Sequence, residues 1–347
     1  MIDLRSDTLT RPTDAMRKAM AEAEVNDDVI DVDPTVKRLQ EKIASMLGKE
    51  AAMFMPSGTM TNQVAVRLHC GPGDEFICEE GCHIYNYEQG AYASLSGVAV
   101  RPVTGTKSVM TVEQLEHLIR PDDEHAPRTK LVCLENTHNR GGGKIIPQPE
   151  VNRICDWAHA KGLKTHLDGA RFLNAAVASE VDPAILAEPF DTISVCFSKG
   201  LGAPVGSALV GSEDMMLEMR RHRKLFGGGM RQSGIIAAGA LHALNHHVER
   251  LSEDHENAQI IARHISEVPG IVCDPSEVHT NIVIFELNPE LGSAPDFCQR
   301  LLDAGVWTYP FSHCLVRAVT HLHISAEDAR KAAEIIAATA STKPSLA

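Results

Sequence analysis

The sequence predicts an α/β protein with a large, doubly wound, mostly parallel sheet and a smaller C-terminal α+β domain. Short apolar runs typical of buried strands recur along the chain, and segments with helical periodicity separate them. The chain has 347 residues, of which 44% are hydrophobic, so it is long enough for more than one core. We expect the large domain to span residues 1–250, with an N-terminal arm over 1–14, and the small domain to span residues 251–347.

The first well-marked element is a helix between Asp33 and Gly48. Asp33 suits the N-cap, Pro34 suits the first turn, and Gly48 can end the helix. One apolar stripe runs along it and consists of Val36, Leu39, Ile43 and Met46.

Strands and helices then alternate along the rest of the chain. In the large domain, strands are predicted at 51–55, 75–78, 98–103, 130–136, 164–168, 192–198 and 206–211. Helices are predicted after the strand at 51–55 and at 111–120, 150–161 and 233–250. In the small domain, helices are predicted at 252–267, 293–304 and 325–340, with strands at 271–273, 281–287 and 314–319. This alternation is typical of a parallel sheet covered by helices.

Composition excludes several classes of function. The net charge of −13 argues against a nucleic-acid partner. No apolar run approaches the roughly 20 residues of a membrane span, and the first twelve residues carry no hydrophobic targeting core. Nine cysteines without a C-x-x-C pair indicate reduced thiols. We therefore expect a cytoplasmic protein without a membrane or nucleic-acid partner.

Three predicted strands end in polar groups. These are Asp168, Lys199 and the run Ser57-Gly58-Thr59 at the start of a helix. Taken singly, they are more typical of a turn cap, a solvated lysine and a helix cap. Together, beyond the carboxyl ends of parallel strands, they match one cofactor. A helix N-terminus binds phosphate, a lysine forms an imine with an aldehyde, and a carboxylate keeps a pyridine nitrogen protonated. Pyridoxal 5'-phosphate requires all three.

Seven segments resemble, in the same order, those of the low-specificity L-threonine aldolases. They are LRSDTLTRPT (4–13), Asp27-Asp28-Val29 with DPTV (33–36), MPSGTMTNQVA (55–65), HIYNYEQGA (83–91), LENTHN (134–139), HLDGAR (166–171) and CFSKGLGAPVGS (196–207). The resemblance extends from residue 4 to the VRAVTH segment at 316–321. It implies the aspartate-aminotransferase-like fold, fold type I of the pyridoxal-phosphate enzymes, within the group of beta-eliminating lyases.

The resemblance also implies a cofactor site. Lys199 would form the imine with pyridoxal phosphate, and Asp168 would pair with its pyridine nitrogen. Gly58 and Thr59 would bind the phosphate through the helix N-terminus. The further contacts that it implies are His83 stacked on the ring, Arg171 at the ring hydroxyl, and Arg231 reaching the phosphate site of a neighbouring subunit.

The substrate site implied by the resemblance binds an amino acid. Ser6, Arg171 and Arg317 would hold its carboxylate. Arg317 lies in an apolar strand, where an unpaired guanidinium is costly and a substrate carboxylate would satisfy it. His83 or His138 would take the proton of the β-hydroxyl. The implied reaction is retro-aldol cleavage of the Cα–Cβ bond of L-threonine or L-allo-threonine to glycine and an aldehyde. The implied assembly is a homotetramer, a dimer of dimers with shared active sites.

One segment departs from the family pattern. The family commonly has Tyr-Gly-Glu where this chain has Ile30, Asp31 and Val32. This leaves the natural substrate open, with an aryl-serine as an alternative. The residues are also compatible with a pyridoxal-phosphate enzyme that catalyses β-elimination or amino transfer, and with a non-catalytic protein that binds the cofactor.

A zinc site is an interpretation that we discount. His69, Cys70, Cys78, Cys82 and His83 lie within fifteen positions but lack the paired spacing of structural zinc sites. No metal is therefore expected.

Overall fold

Most of the predicted strands and helices are present, with ends that differ by a few residues. The computed structural model describes residues 1–342; the last five residues of the predicted small domain, 343–347, lie outside the described residues. The strands are β1 (Ile2–Asp3), β2 (Ala51–Met55), β3 (Asp74–Glu79), β4 (Ala99–Val103), β5 (Arg128–Glu135), β6 (Lys164–Gly169), β7 (Thr192–Cys196), β8 (Ser207–Gly211), β9 (Ile271–Val272), β10 (Ile282–Leu287), β11 (Val306–Trp307), β12 (Tyr309–Pro310) and β13 (Leu315–Val319).

Helices cover the strands and connect them. They are α1 (Asp14–Ala21), α2 (Pro34–Met46), α3 (Gly58–His69), α4 (His83–Asn86), α5 (Ala91–Ser96), α6 (Val112–Leu115), α7 (Gln148–Ala160), α8 (Phe172–Ser179), α9 (Pro183–Ala187), α10 (Met216–Leu225), α11 (Gly234–His246), α12 (Leu251–Ile265), α13 (Ala294–Asp303) and α14 (Ala326–Ser341). Within residues 1–342, no helix combines the length and the apolar character needed to cross a bilayer.

The large sheet confirms the predicted fold class. Its seven strands lie in the order β2-β8-β7-β6-β5-β3-β4. Only β8 runs antiparallel to its neighbours, and the other pairs are parallel. β2, β7 and β8 are buried along their whole length, as expected for strands covered on both faces. In register, Glu135 is next to Asp168 and Asp168 is next to Ser194. The carboxyl ends of β5, β6 and β7 therefore meet at one edge.

Helix α2 shows how local sequence and long-range packing combine. As predicted, Asp33 caps it, with Oδ1 accepting from the N–H of Thr35 at 2.9 Å and of Val36 at 3.1 Å. The other carboxylate oxygen accepts from the N–H of Gly234 at 2.9 Å. A Cβ at Gly234 would collide with this carboxylate, so glycine permits the close approach. One buried aspartate thus joins the N-termini of α2 and α11.

The helix predicted at 111–120 is shorter than expected. The capping box of Thr111 and Gln114 is present, but α6 ends at Leu115. The chain then tightens into a turn in which the N–H of Leu118 donates to the carbonyl of Leu115. Pro121 follows this turn, and because it has no N–H it cannot continue a helix.

A second core lies among the C-terminal elements and includes the start of the chain. It is formed by apolar side chains of α12, α13, α14, β10 and β13, and Ile2 and Leu4 pack within it. β1 pairs in parallel with β11, so that Ile2 lies next to Val306. This pairing draws the N-terminal arm across to the C-terminal elements. The domain boundary at residue 250 stays a prediction.

Candidate active site

A pocket of about 410 Å³ opens where the carboxyl ends of β5, β6 and β7 face the N-terminal arm and the β12–β13 hairpin. Five of the predicted site residues line it: Ser6, His83, Arg171, Lys199 and Arg317. The other lining residues are Thr8, Tyr87, Glu135, Asn139, Ala170, Tyr309, Pro310 and Phe311. Residues distant in sequence are thus brought together at one pocket, while their roles stay predictions.

Asp168 is a buried carboxylate at the end of β6, with 3% of its surface exposed. Its Oδ2 accepts a hydrogen bond from Asn62 Nδ2 at 2.8 Å, and its Oδ1 accepts from the N–H of Ala170 at 3.1 Å. Burial alone would raise its pKa, but the electrostatic influence of His83 and Lys199, together with the hydrogen bond from Asn62, outweighs burial and holds the pKa below its usual range. The site therefore presents an ionised carboxylate, which suits a cationic N–H partner.

Lys199 follows β7 with its backbone held and its amine free. The carbonyl oxygen accepts from Thr10 Oγ1 at 2.8 Å and from the N–H of Gly202 at 2.9 Å. β7 ends at Cys196, two residues before the predicted end, so Lys199 lies in the loop and faces the pocket. Across residues 1–342, its amine has no hydrogen-bond or ion-pair partner, which leaves it available to a carbonyl compound.

The N-terminus of α3 lies at the same edge of the sheet. Thr61 Oγ1 lies 2.6 Å from Ser194 Oγ of β7, which seats the first turn of the helix over that strand. A Cβ on Gly58 would lie 2.7 Å from Cys196 Sγ, so only glycine fits there. The N–H groups of Gly58 and Thr59 donate to no group of the described chain, and such free N–H groups bind phosphate. Neither residue lines the 410 Å³ pocket itself.

Arg171 forms a buried ion pair with Asp7 of the N-terminal arm. Its Nε donates to Asp7 Oδ2 at 2.7 Å and its Nη2 donates to Asp7 Oδ1 at 2.8 Å. Although burial alone would raise the pKa of Asp7, the Arg171 guanidinium holds that pKa far below its usual range. The remaining nitrogen, Nη1, lies 3.4 Å from Asn139 Oδ1. Only this side of Arg171 is free to reach a ligand.

We expect Asp7→Asn to destabilise the protein and to change how its stability depends on pH. Loss of the carboxylate leaves the Arg171 charge buried and unpaired, which costs about 3–5 kcal/mol. The pKa of Asp7 is lower in the folded state than in the unfolded chain. The stabilisation is therefore complete above the unfolded pKa of about 4 and is lost as the pH falls below it. Urea unfolding at pH 7 and at lower pH measures both effects.

Asp3→Asn is the matched control for this experiment. Asp3 pairs with Arg5 in the same arm, but about 30% of each side chain is exposed, so its loss is expected to cost under about 1 kcal/mol. An equal loss of unfolding free energy in the two variants would contradict the role assigned to the buried Asp7–Arg171 pair.

Arg317 is a half-buried cation without a carboxylate partner in residues 1–342. Its Nη1 donates to Asn139 Oδ1 and its Nη2 to the carbonyl of Arg5, both at 3.2 Å. Its Nε is buried and makes no hydrogen bond. Burial and the neighbouring charge of Arg171 lower its pKa. A guanidinium in this state, at the wall of a pocket, is suited to bind an anion.

The structure places the two candidate histidines differently. His83 lines the pocket, with its Nδ1 2.9 Å from Glu88 Oε1. Its pKa is raised because the hydrogen bond with Glu88 and the charge of Asp168 outweigh burial, which alone would lower it. His138 is 1% exposed and outside the pocket; Glu79 lies 3.0 Å from its Nε2, and its Nδ1 accepts from the N–H of Gly141. Only His83 is positioned to reach a ligand in the pocket.

Arg231 lies away from the pocket of its own chain. So does the segment at 30–32, which differs from the family pattern. Arg231 pairs with Asp27 at 2.9 Å, and 55% of its side chain is exposed. Ile30 is 81% exposed. The predicted action of Arg231 on a neighbouring subunit stays a prediction.

Several pocket residues were not singled out from the sequence. Tyr87 and Asn139 belong to segments that carry the family resemblance. Their place in those segments was the only feature of the sequence that could have marked them as site residues. Tyr309 and Phe311 lie outside those segments, and their ring centroids are each 5.5 Å from the Arg317 guanidinium. Tyr309 and Phe311 form an aromatic wall of the pocket, opposite the strand ends.

The residues present fit pyridoxal phosphate better than a metal. An ionised carboxylate, a free amine and a helix N-terminus with a glycine cradle match the pyridine nitrogen, the aldehyde and the phosphate. In the described part of the chain, one group of three potential metal ligands lies within 4.8 Å, namely His83, Glu88 and Asp168. His83 Nδ1 and Glu88 Oε1 already form a hydrogen bond with each other, and Asn62 donates to Glu88 and to Asp168. The cysteines of the discounted zinc interpretation are not part of that group.

Comparison with known proteins gives a consistent result. The model of the beta-eliminating lyase family matches residues 3–288. The low-specificity L-threonine aldolase 1 of Arabidopsis thaliana is 41% identical over 334 residues, which cover 94% of this chain and 93% of that protein. The low specificity L-threonine aldolase of Escherichia coli (strain K12) is 41% identical over 328 residues, which cover 94% and 96%.

Solved structures share the fold. The threonine aldolase of Leishmania major superposes with a TM-score of 0.85 at 19% identity, covering 98% of this chain and 100% of that one. The serine palmitoyltransferase of Sphingomonas wittichii gives a TM-score of 0.75 at 18% identity, covering 97% and 86%. At these identities the likeness concerns the fold.

Proposed function

This chain belongs to the beta-eliminating lyase family, and we propose from that premise both its reaction and the residues that perform it. It is a pyridoxal-phosphate-dependent aldolase that cleaves L-threonine, L-allo-threonine or related β-hydroxy-α-amino acids into glycine and an aldehyde. Two low-specificity L-threonine aldolases match it at 41% identity over 94% of the chain. The observation that carries the substrate class is the unpaired Arg317 guanidinium, which suits a carboxylate, in the same pocket as the free amine of Lys199, which suits the aldehyde of the cofactor.

Four residues would hold the cofactor. Lys199 would bind its aldehyde carbon, Asp168 its pyridine nitrogen, and the N–H groups of Gly58 and Thr59 its phosphate. When bound, pyridoxal phosphate supplies an electron sink for the negative charge left on Cα when the Cα–Cβ bond breaks. The depressed pKa of Asp168 supports this assignment, since the carboxylate stays ionised opposite the ring.

The substrate is held and deprotonated by side chains of this chain. Arg317 binds the carboxylate, with Ser6 beside it and Arg171 offering its remaining nitrogen. His83 accepts the proton of the β-hydroxyl, the C–O bond becomes a carbonyl as Cα–Cβ breaks, and the electron pair stays on Cα. Addition of a proton at Cα then gives glycine. His138 is not used in this scheme because both of its ring nitrogens are bound within the protein.

The proposal extends to assembly and location. We assign a homotetramer, a dimer of dimers in which Arg231 and the segment around Ile30 complete a neighbouring site; their exposure and distance from their own pocket support it. Light scattering of the purified protein measures the assembly, and a monomer with full activity would contradict it.

Nine free thiols support a cytoplasmic location.

The reaction is tested by incubating the purified protein, loaded with pyridoxal phosphate, with L-threonine, L-allo-threonine and L-phenylserine in turn. Release of glycine and the matching aldehyde is expected, and D-threonine serves as the control. A 2-oxo acid with ammonia would indicate β-elimination, and a 2-oxo acid with the aminated cofactor would indicate amino transfer. Binding without turnover of any substrate would indicate a non-catalytic protein. A preference for L-phenylserine would point to the aromatic wall of Tyr309 and Phe311.

A further inference from the structure

Glu88 is a buried carboxylate to which the proposed reaction assigns no role. It is 3% exposed and follows His83 by five residues. Its Oε1 lies 2.9 Å from His83 Nδ1 and accepts from Asn62 Nδ2 at 2.8 Å, and its Oε2 accepts from Gln63 Nε2 at 2.6 Å. No lysine or arginine of residues 1–342 pairs with it. Burying a carboxylate without such a partner is costly, and burial and the charge of Asp168 raise the pKa of Glu88. The imidazole of His83 is therefore the group that can offset its charge.

The neighbours of Asn62 determine where the hydrogens of this network lie. The Asn62 amide nitrogen is 2.8 Å from both Glu88 and Asp168. Because two carboxylates can only accept, this atom must be the NH₂ group, with one hydrogen for each. The amide oxygen therefore faces His166 Nε2 at 3.1 Å and accepts its hydrogen.

The far end of the network agrees with this orientation. Burial lowers the pKa of His166 to about 3, so that this imidazole is neutral and carries one hydrogen. With that hydrogen on Nε2, its Nδ1 accepts from Thr192 Oγ1 at 3.0 Å. Asn62 is thus locked, and the Glu88 oxygen that it contacts stays an acceptor for His83.

We propose that Glu88 is a positioning residue for His83, holding the Nδ1–H so that the Nε2 lone pair faces the substrate hydroxyl. In residues 1–342, no other group forms a hydrogen bond with that Nε2. This inference rests on the proposed function. When the hydroxyl proton moves to Nε2, the imidazole becomes an imidazolium, and the Glu88 carboxylate pairs with its charge until the proton leaves. Glu88 does not touch the substrate and acts through His83.

Other charged groups also act on His83 and set the background for a pH experiment. Those that face it are Glu88 itself, Asp168 on β6, Glu135 on β5, Tyr87 after α4, and the pocket cations Arg171, Lys199 and Arg317. Hydrogen bonding to Glu88 is the largest influence that raises the pKa of His83 against burial, which lowers it. Removing that carboxylate charge should lower the pKa.

Glu88→Gln tests the proposal because it keeps the shape and removes the charge. Gln63 can rotate its amide to match, since its own Oε1 is buried without a partner. We expect the acid limb of kcat/KM for L-threonine to move to lower pH by about one unit, and kcat on the plateau to fall about 10-fold to 100-fold. Glu88→Asp, which retains the charge, should return the limb toward its original position.

A second readout does not depend on turnover. In the holoenzyme with ¹⁵N-labelled histidine, the ring nitrogen shifts report which nitrogen of His83 carries the hydrogen, with His83→Asn used to assign the signal. The Nδ1–H form should dominate in the unmodified protein. In Glu88→Gln the pH midpoint of the His83 nitrogen shifts should fall, because the amide oxygen can still accept from Nδ1 but carries no charge. If the unmodified protein released no glycine, the proposed function would fail while this measurement still tested the tautomer.

Glu75→Gln is the matched control. Glu75 is equally buried on the neighbouring β3, but it pairs with Arg101 and Arg120 and does not contact His83. We expect it to lower the unfolding temperature and to leave the acid limb and the His83 shifts unchanged. One outcome would overturn the proposal: kcat falls in Glu88→Gln, but the acid limb of the kcat/KM profile and the ¹⁵N shifts of His83 stay unchanged. Glu88 would then contribute only to packing.

Discussion

Lys199→Ala is expected to abolish both turnover and the visible absorbance of the lysine-bound cofactor. The Lys199 amine lines the pocket and forms no ion pair within residues 1–342. The Lys199 carbonyl oxygen accepts hydrogen bonds from Thr10 and Gly202. Among residues 1–342, Lys199 is the only lysine that lines the pocket, so no other described amine can replace it. Losing a positioned amine that exchanges protons and bonds with the reacting centre should lower kcat by about 10²–10⁴-fold or more. Absorbance spectra and glycine release from L-threonine measure the two effects.

The control for this experiment is Lys49→Ala. Lys49 is also partly buried, but its amine donates to the carbonyls of Glu188 and Phe190, away from the pocket. Its loss should cost stability and leave the absorbance band in place. Full turnover by Lys199→Ala would remove the lysine assignment, and loss of both signals in Lys49→Ala would show that the effect comes from unfolding.

The main features of the fold are predictable because they depend on local patterns. Apolar runs define β5, β6 and β7, and parallel pairing then forces Asp168 and Lys199 to one edge. The cap at Asp33 depends on a few neighbouring residues and is found as predicted. Helix α8 is not predicted from the sequence because its eight residues are mostly apolar, five of them buried, and carry no amphipathic stripe.

Contacts between distant residues are not predictable in the same way. Asp7 and Arg171 are 164 positions apart, and nothing in the periodicity of either segment indicates that they pair. The parallel pairing of β1 with β11 involves two residues on each strand, too few for a pattern. Without that pairing, the sequence cannot indicate how the arm brings Ser6 to the pocket.

The two histidines illustrate the limit most clearly. Both lie in segments that resemble the family, and from the sequence both are equal candidates for the β-hydroxyl proton. Their difference arises from burial: His138 turns toward Glu79, whereas His83 turns toward Glu88 and the pocket. Such orientations depend on side-chain packing from several strands, which one sequence does not reveal.

Arg317→Ala is expected to weaken substrate binding strongly with less effect on the chemical step. The guanidinium lies on the pocket wall with a buried Nε and no carboxylate partner in residues 1–342, so the substrate carboxylate is its natural counterion. Hydrogen bonds to a charged group contribute about 1.5–3 kcal/mol, which corresponds to a rise in KM of roughly 10-fold to 150-fold. Steady-state kinetics with L-threonine measures KM and kcat separately.

A ligand that lacks the carboxylate separates this role from a general change in the pocket. 1-Amino-2-propanol keeps the amine and the hydroxyl of threonine but has no anion for Arg317 to bind. It should inhibit the unmodified protein weakly, and it should inhibit Arg317→Ala no less, because the interaction removed by the substitution is absent from this ligand. If the substitution weakened both ligands equally, Arg317 would act by supporting the Tyr309 and Phe311 wall. If it weakened neither, the carboxylate would bind elsewhere, and the free nitrogen of Arg171 would be the next residue to test.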